Sequence, residues 1–298
     1  MNKLQQEKLA LEAITAALRA RKEIGIDLCD AVSPIDAAQK LGVEVRLIDT
    51  PSMEGMYVSS GSPQIFLSVQ RPAGRRNFTC AHELGHHKFN HGTQYDELLA
   101  QKSVARQRDP TEFTADCFSA FFMMPKTAID SGLNKRGMSY ASLTPNDVYA
   151  LSNWLGVGYK TLISHLQFGT RAISRETAER LTQSKPQQIR QMLLGQAQFN
   201  NLHIVDSHWS GRPVDCEVGD VILTTRDVSF EGSGLSLLRC DGVKRVVEVM
   251  KPGINRLVST SGHWSTFVRV ARRSFTGRAC YRFEEEPNEE TVDSIAKF

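Results

Sequence analysis

Phe78-Thr79-Cys80-Ala81-His82-Glu83-Leu84-Gly85-His86 is the stretch that decides the fold, because its polar residues have the spacing that a metal ion requires. In a helix, residues four positions apart differ by about 40° around the axis, so the rings of His82 and His86 point to one place. Glu83 lies about 100° from His82, where its carboxylate can reach a water on the metal. This HExxH spacing fits a zinc ion with a general base beside it. The alternative is a helix with two surface histidines and a solvated glutamate.

A second stretch, Asp109-Pro110-Thr111-Glu112-Phe113-Thr114-Ala115-Asp116, supplies the further polar residues that a metal site needs. Aspartate as N-cap, followed by proline at the first helical position, predicts a helix that Pro125 limits. Glu112 and Asp116 are four positions apart and therefore share one helix face. One carboxylate can bind zinc beside the histidines, and the other can orient a histidine ring. The alternative is that Glu112 only completes a capping box.

Length and composition define the class of protein. The 298 residues are 41% apolar and 23% charged, as in ordinary globular proteins, and this length favours two domains. A net charge of +3 does not by itself indicate binding to nucleic acid or to an anionic membrane. Six scattered cysteines without a CxxC pair argue against disulfides and against a cysteine zinc cluster. Because we find no apolar signal segment and no uncharged apolar run near about 18 residues, we expect a cytoplasmic protein with no membrane partner.

The elements around the HExxH motif follow from periodicity and turn residues. Leu4 to Leu18 predicts an amphipathic helix, and Ser33-Pro34 begins a short helix that Gly42 ends. Three runs with alternating polarity predict a small antiparallel sheet before the motif helix. These runs lie at 43–47, 56–58 and 65–67.

The end of the motif helix is predicted at Gly92, and the polar stretch to Arg108 is predicted to be a loop. On a helix of this length, His87 and His91 lie about 140° and 180° from His82. We therefore interpret His87 and His91 as surface or packing residues.

The next region resembles a helix-turn-helix. Thr144-Pro145 begins a helix that Gly156 ends, and a further helix runs over 157–166. The second of these helices carries few base-reading side chains, so we favour packing over DNA binding. Further helix is predicted over 174–194, with an interruption at Pro186.

From about Asn200 the pattern changes to short apolar runs separated by turn residues, which predicts a mostly β domain. The runs lie at 202–205, 221–225, 235–239, 243–250, 256–259 and 267–270. A basic cluster and an acidic tail follow, formed by Arg269, Arg272, Arg273, Arg278 and Arg282 and then by Glu284, Glu285, Glu286, Glu289 and Glu290. We favour a solvated strand and tail over a phosphate or partner site.

Together, these motifs resemble the ImmA/IrrE family of metallopeptidases over about residues 4–166. The resemblance rests on HExxH and on the helix that ends in Phe118-Ser119-Ala120-Phe121-Phe122-Met123-Met124-Pro125. It implies that Glu112, thirteen residues before the final proline, is the third zinc ligand. The family usually has asparagine four residues later; Asp116 stands there in this chain and adds a negative charge. The resemblance also implies a peptidase that cleaves a helix-turn-helix repressor, derepressing stress-response or mobile-element genes.

The predicted fold is α+β, with a zincin-like catalytic domain, a helical extension resembling a helix-turn-helix, and a C-terminal, mostly β domain. The predicted domains are a metallopeptidase domain at 1–135, a helical subdomain at 136–199 and a regulatory or recognition domain at 200–298. Zinc, with manganese as the alternative working metal, would be bound by His82, His86 and Glu112 and would polarise the scissile carbonyl. Glu83 would take a proton from water and deliver it to the leaving amine.

Two other functions stay open at the level of sequence. One is a metal-binding regulator that acts by contact without cleavage. The other is a DNA-binding transcription factor that uses the helices of 144–168 and the arginine cluster, although the weakly basic second helix disfavours direct binding to nucleic acid. The presence of Glu83 favours an enzyme, because metal binding alone does not need it.

Overall fold

The computed structural model describes residues 1–97, 109–195 and 199–285. The chain forms two compact units, one of Met1–Ala197 with Thr276–Cys280 and one of Gln198–Phe275 with Tyr281–Phe298. The first unit combines helices with a small sheet, and the second is mostly strands. The predicted α+β fold is therefore confirmed. The polar stretch predicted as a loop up to Arg108 instead begins with a strand at Gln94–Glu97, which pairs with the strand Met53–Val58. The rest of that stretch, and the acidic tail from Glu286 onward, lie outside the described residues.

Four helices of the first unit begin at a residue whose side chain caps them, and three of these caps, Ser33, Asp109 and Thr144, were predicted. Asn2, Ser33, Asp109 and Thr144 each accept a backbone N–H of the following first turn through the side chain, which satisfies donors that helix starts otherwise leave unpaired. The helices are α1 (Lys3–Glu23), α2 (Pro34–Lys40), α3 (Ala73–Lys88), α4 (Pro110–Met123), α5 (Lys126–Lys135), α6 (Pro145–Leu155), α7 (Tyr159–Ser164), α8 (Arg175–Thr182) and α9 (Pro186–Leu194). Within the described ranges, none of the helices is long and apolar enough to cross a bilayer.

The sheet of the first unit is mixed, whereas the sequence predicted an antiparallel one. Its strands are β1 (Glu44–Ile48), β2 (Met53–Val58), β3 (Gln64–Ser68), β4 (Gln94–Glu97) and β13 (Gly277–Arg278). The order is β13-β1-β3-β2-β4. Because β3 inserts between β1 and β2, it pairs parallel to β1 and antiparallel to β2. Alternation of side chains predicts strands but not their partners, so the direction of this pairing could not be read from the runs.

Helices α1, α3 and α4 pack closely together. Helix α3 lies against β2 and β3, and α4 packs against both α3 and α1. Ala13, Ala17 and Ala20 of α1 are fully buried, and their short side chains allow a close approach of helices. Phe118 and Phe122 of α4 fill the core with stacked rings whose centroids are 5.4 Å apart. Helices α1, α4 and α3 thus pack in succession, and α3 lies against the sheet.

The helices that resemble a helix-turn-helix are heavily buried. Most of α6 is packed in the core, including the fully covered Leu151 and Trp154. Gly156 ends α6 in the left-handed conformation at φ 70°, and α7 contains only 6 residues. This burial supports packing as the role of these helices.

Over residues 199–285, the second unit contains two four-stranded sheets, with orders β5-β7-β10-β9 and β6-β12-β11-β8. The strands are β5 (Leu202–Ile204), β6 (Val214–Glu217), β7 (Val221–Thr225), β8 (Val228–Glu231), β9 (Leu235–Asp241), β10 (Lys244–Val249), β11 (Gly253–Ser259) and β12 (Ser265–Ala271). The six predicted runs correspond to six of these strands, and β6 and β8 were not predicted.

Candidate metal centre

Helix α3 brings His82 and His86 together. Their Nε2 atoms are 3.0 Å apart, with ring centroids at 4.7 Å and ring planes at 73°. The side chain of His86 is fully buried and His82 is only 5% exposed. Histidines four positions apart on a helix face one another in this way because 3.6 residues complete a turn. Two surface histidines, the alternative from the sequence, do not fit this burial.

Helix α4 adds the carboxylate of Glu112. Its Oε2 is 3.5 Å from Nε2 of His82, and its Oε1 is 3.6 Å from Nε2 of His86. Asp109 and Pro110 begin α4 as the sequence predicts, and they place Glu112 in its first turn. The side chain of Glu112 faces the imidazoles, so the capping box does not account for its position.

Two outer partners hold the rings of the histidine pair. Oδ1 of Asp116 is 2.9 Å from Nδ1 of His82, and Nδ1 of His91 is 2.9 Å from Nδ1 of His86. If Nδ1 of both His82 and His86 carries the proton and donates to these acceptors, each Nε2 keeps a lone pair that points to the shared centre. This tautomer is the one that binds a metal.

The electrostatics support this arrangement. Burial lowers the pKa of His82, but hydrogen bonds and charge from Asp116 and Glu112 outweigh it and raise the pKa well above its usual value. Burial lowers the pKa of His91, which keeps that ring neutral and able to accept the proton of His86 Nδ1. The carboxylates of Asp116 and Glu112 thus place negative charge beside His82, which favours a cation.

The distances fit a small tetrahedral cation. Two nitrogen ligands at zinc distances of about 2.0 to 2.1 Å lie about 3.3 Å apart in tetrahedral geometry. The three separations among His82, His86 and Glu112 run from 3.0 to 3.6 Å. Two histidines, one glutamate and an open position form a ligand set of catalytic zinc sites. These residues therefore fit zinc.

Glu83 lies beneath strand β2 and is fully buried. A Cβ on Gly55 of β2 would be 2.8 Å from Oε1 of Glu83 and 2.5 Å from Cγ2 of Thr79, so only glycine leaves room at this crossing. The neighbouring Glu54 is also buried and forms ion pairs with Arg71 at 3.0 Å and Arg75 at 2.7 Å. These pairs hold β2 against the start of α3, and β2 thereby fixes the position of Glu83.

A second glycine sets the distance between the two ligand helices. A Cβ on Gly85 would be 3.1 Å from Cα of Ala115, 3.3 Å from its backbone oxygen and 3.2 Å from Cδ1 of Phe118. Gly85 lies between His82 and His86 in one turn of α3, and Ala115 lies one turn after Glu112 in α4. The spacing of the three ligands therefore depends on this close contact.

The role of His91 was missed by the sequence analysis, and the interpretation as a surface or packing residue is corrected. Helix α3 ends at Lys88, and not at Gly92 as predicted. Asn90 then takes a left-handed conformation at φ 52°, and the backbone N–H of His91 donates to the carbonyl of His86. The chain thus turns back and brings His91 beside His86 of the candidate metal centre. His87 faces elsewhere, and its Nδ1 is 2.9 Å from the hydroxyl of Tyr57.

The arginines of the predicted basic cluster are divided between the two units, and Arg269, Arg282 and Arg278 form ion pairs within their own unit. In the second unit, Arg269 binds Asp215 in a bidentate manner at 2.6 and 2.7 Å, and Arg282 lies 3.3 Å from the same carboxylate. In the first unit, Arg278 of β13 pairs with Glu44 at 2.9 Å. Carboxylates thus neutralise much of the charge, which disfavours a phosphate site.

Comparison with known proteins gives a match to a family model and a similarity to a solved structure. Residues 38–164 match the family model of Peptidase M78, described as an IrrE N-terminal-like domain. A solved structure described as a Mycobacterium tuberculosis transcriptional regulator is similar at 16% sequence identity and a TM-score of 0.38, over 55% of this chain and 51% of that chain. This chain therefore spans about half the length of that protein, and a similarity of this size does not establish a shared function. Comparison with curated proteins gives no match.

Proposed function

We propose that this protein is a zinc-dependent endopeptidase, because residues 38–164 match the model of the IrrE N-terminal-like domain, Peptidase M78. One observation carries the proposal: Nε2 of His82, Nε2 of His86 and the carboxylate of Glu112 converge with separations of 3.0 to 3.6 Å. Glu83 directly follows His82, and metal binding alone does not need its carboxylate. A contact-only regulator would have no use for it.

In this proposal, each residue has a distinct task. His82, His86 and Glu112 hold the metal, and Asp116 and His91 keep the two imidazoles in the tautomer that binds it. When bound, zinc supplies a Lewis acid that polarises the scissile carbonyl and activates a water molecule. Glu83 takes the proton of the attacking water and delivers it to the leaving amine.

The proposed substrate is a helix-turn-helix repressor in the cytoplasm, whose cleavage derepresses stress-response or mobile-element genes. The resemblance to the ImmA/IrrE family supports this choice. A protein substrate also suits the sheet, because an extended segment can add as a further strand. Strand β2 is paired on both sides by β3 and β4, so within the described residues the strand at that edge is β4.

We also propose a division of tasks along the chain. Residues 1–135 carry out the chemistry, 136–199 pack as a helical extension, and 200–298 regulate the enzyme or select the substrate. All proposed residues of the chemistry lie between His82 and Asp116. One short piece departs from this order, since β13 of Gly277–Arg278 pairs with β1 in the first unit.

The experiment that tests the proposed function uses the purified full chain, loaded with zinc or with manganese, and the repressor encoded nearest to its gene. We expect the repressor to be cut into discrete fragments, identified by mass spectrometry, when the protein is loaded with one of the two metals. The Glu112→Gln variant should produce no fragments. The metal that supports cleavage is the working metal. A repressor that binds the loaded protein but stays intact would instead support a regulator that acts by contact.

A further inference from the structure

A second group of metal-binding side chains lies in the C-terminal unit. His203 is on β5, Cys216 is on β6, and Asp220 lies in the turn that leads into β7. Their ligand atoms all lie within 4.8 Å of one another. Cys216 and Asp220 are each about 97% buried, with exposures of 3% and 2%. Two strands and the turn that follows the second, all within residues 203–220, therefore bring a nitrogen, a sulfur and an oxygen close together.

Asp220 is held firmly in this group. Its Oδ1 accepts from Nδ2 of Asn201 at 3.0 Å, and its Oδ2 accepts from the backbone N–H of Glu217 at 2.9 Å. Nε2 of His203 lies 3.0 Å from the same Oδ2. Carboxylates that bind metals are commonly oriented by such outer hydrogen bonds.

We propose that His203, Cys216 and Asp220 form a second zinc site, separate from the centre on α3 and α4. Thiolate, imidazole and carboxylate are all ligands of zinc, and the thiolate argues against magnesium, calcium and manganese. The separation of 3.0 Å between His203 Nε2 and Asp220 Oδ2 equals that between the Nε2 atoms of His82 and His86. The side chain of His203 is 14% exposed, which gives an ion and a water ligand access to the group.

Without a metal, a proton shared by His203 and Asp220 would account for the same separation, and Cys216 would be a core thiol. A thiolate ligand distinguishes the two cases. Cobalt(II), which replaces zinc in such sites, gives a thiolate-to-cobalt charge-transfer absorption only when cysteine binds it. The ligands of the first centre, His82, His86 and Glu112, contain no sulfur.

The test is cobalt titration of the full chain, together with zinc analysis of the zinc-loaded protein. We expect the charge-transfer absorption in the wild type and in Glu112→Ala, its loss in Cys216→Ser, and its retention in Cys240→Ser, a matched control at an exposed cysteine of the same unit. Zinc content should be about two per chain in the wild type and about one in Glu112→Ala and in Cys216→Ser.

Two results would overturn the proposal. One is a wild-type chain that binds cobalt without any thiolate absorption, an outcome that does not depend on whether Cys216→Ser folds. The other is an absorption that persists in folded Cys216→Ser, since the thiolate would then belong to another cysteine. Neither result bears on the centre of His82, His86 and Glu112. The zinc content of Cys216→Ser measures that centre on its own.

Discussion

Replacing Gly85 by alanine tests whether the close contact of α3 and α4 sets the spacing of the metal ligands. The added Cβ would be 3.1 Å from Cα of Ala115, 3.3 Å from its oxygen and 3.2 Å from Cδ1 of Phe118. These contacts are tighter than nine in ten real Cβ contacts, so α4 must shift by a few tenths of an ångström. Glu112, one turn earlier on α4, shifts with it.

Two opposing effects determine the stability of Gly85→Ala. Overpacking of a close helix contact costs about 1 to 3 kcal/mol. Alanine recovers about 1 kcal/mol over glycine through its higher helix propensity. We therefore expect a net loss of about 0 to 2 kcal/mol in the free energy of unfolding without metal. The zinc affinity should also fall, by about 10-fold, because Glu112 would be displaced from its position. Loss of the interactions that orient a ligand weakens metal sites by about 10 to 100-fold.

The assay measures zinc affinity by competition with a chromophoric chelator and stability by denaturant unfolding of the metal-free chain. Gly132→Ala is the matched control, since its Cβ would be 2.7 Å from Cδ1 of Leu151 and 3.1 Å from Cζ3 of Trp154, a contact between α5 and α6 that contains no ligand. The control should lose stability and keep its zinc affinity. Wild-type zinc affinity in folded Gly85→Ala would refute the reasoning.

Three further predictions concern the same unit. Asp116→Ala should weaken zinc binding by about 10 to 100-fold, while Asp116→Asn, which keeps an acceptor for His82, should stay close to the wild type. Equal zinc affinities of Asp116→Ala and the wild type in chelator competition would show that Asp116 does not support His82 as a ligand. Gly55→Ala should keep zinc but slow cleavage by about 100-fold, because the new Cβ displaces Glu83, and steady-state kinetics at the wild-type rate would contradict this. Burial lowers the pKa of His165 from 6.5 to about 4, although its bond to the Met124 carbonyl opposes the shift. Between pH 6.5 and pH 4 the unfolded chain binds more protons at this histidine than the folded chain does. The free energy of unfolding therefore declines by up to about 3 kcal/mol as the pH falls through this window. His165→Gln, measured by denaturant unfolding at several pH values, should lack this pH dependence.

The ligand-bearing helices could be predicted from sequence because their signals are local. The spacing within HExxH is enough to bring Nε2 of His82 to 3.0 Å from Nε2 of His86. The caps at Asp109 and Thr144 begin α4 and α6 where they were expected. Local hydrogen bonds and a fixed helical period decide these features, so a single sequence contains them.

Contacts that depend on a change of chain direction could not be predicted. His91 reaches His86 only because Asn90 turns the chain after Lys88, four residues before the glycine that was taken as the stop. Strand β6 is short and half polar, and β13 has only 2 residues, so neither produces a recognisable run. The group of His203, Cys216 and Asp220 depends on how β5, β6 and the turn before β7 are arranged in space, and its sequence spacing matches no familiar metal motif.

The central claim, that Glu83 moves a proton at a metal held by other residues, is tested most directly by Glu83→Gln. Zinc content by elemental analysis and the rate of repressor cleavage are measured on the same preparation of the full chain. The account predicts zinc equal to the wild type at the centre of His82, His86 and Glu112, together with a cleavage rate lower by about 100-fold or more. Cleavage at a rate comparable to the wild type by the zinc-loaded variant would contradict it.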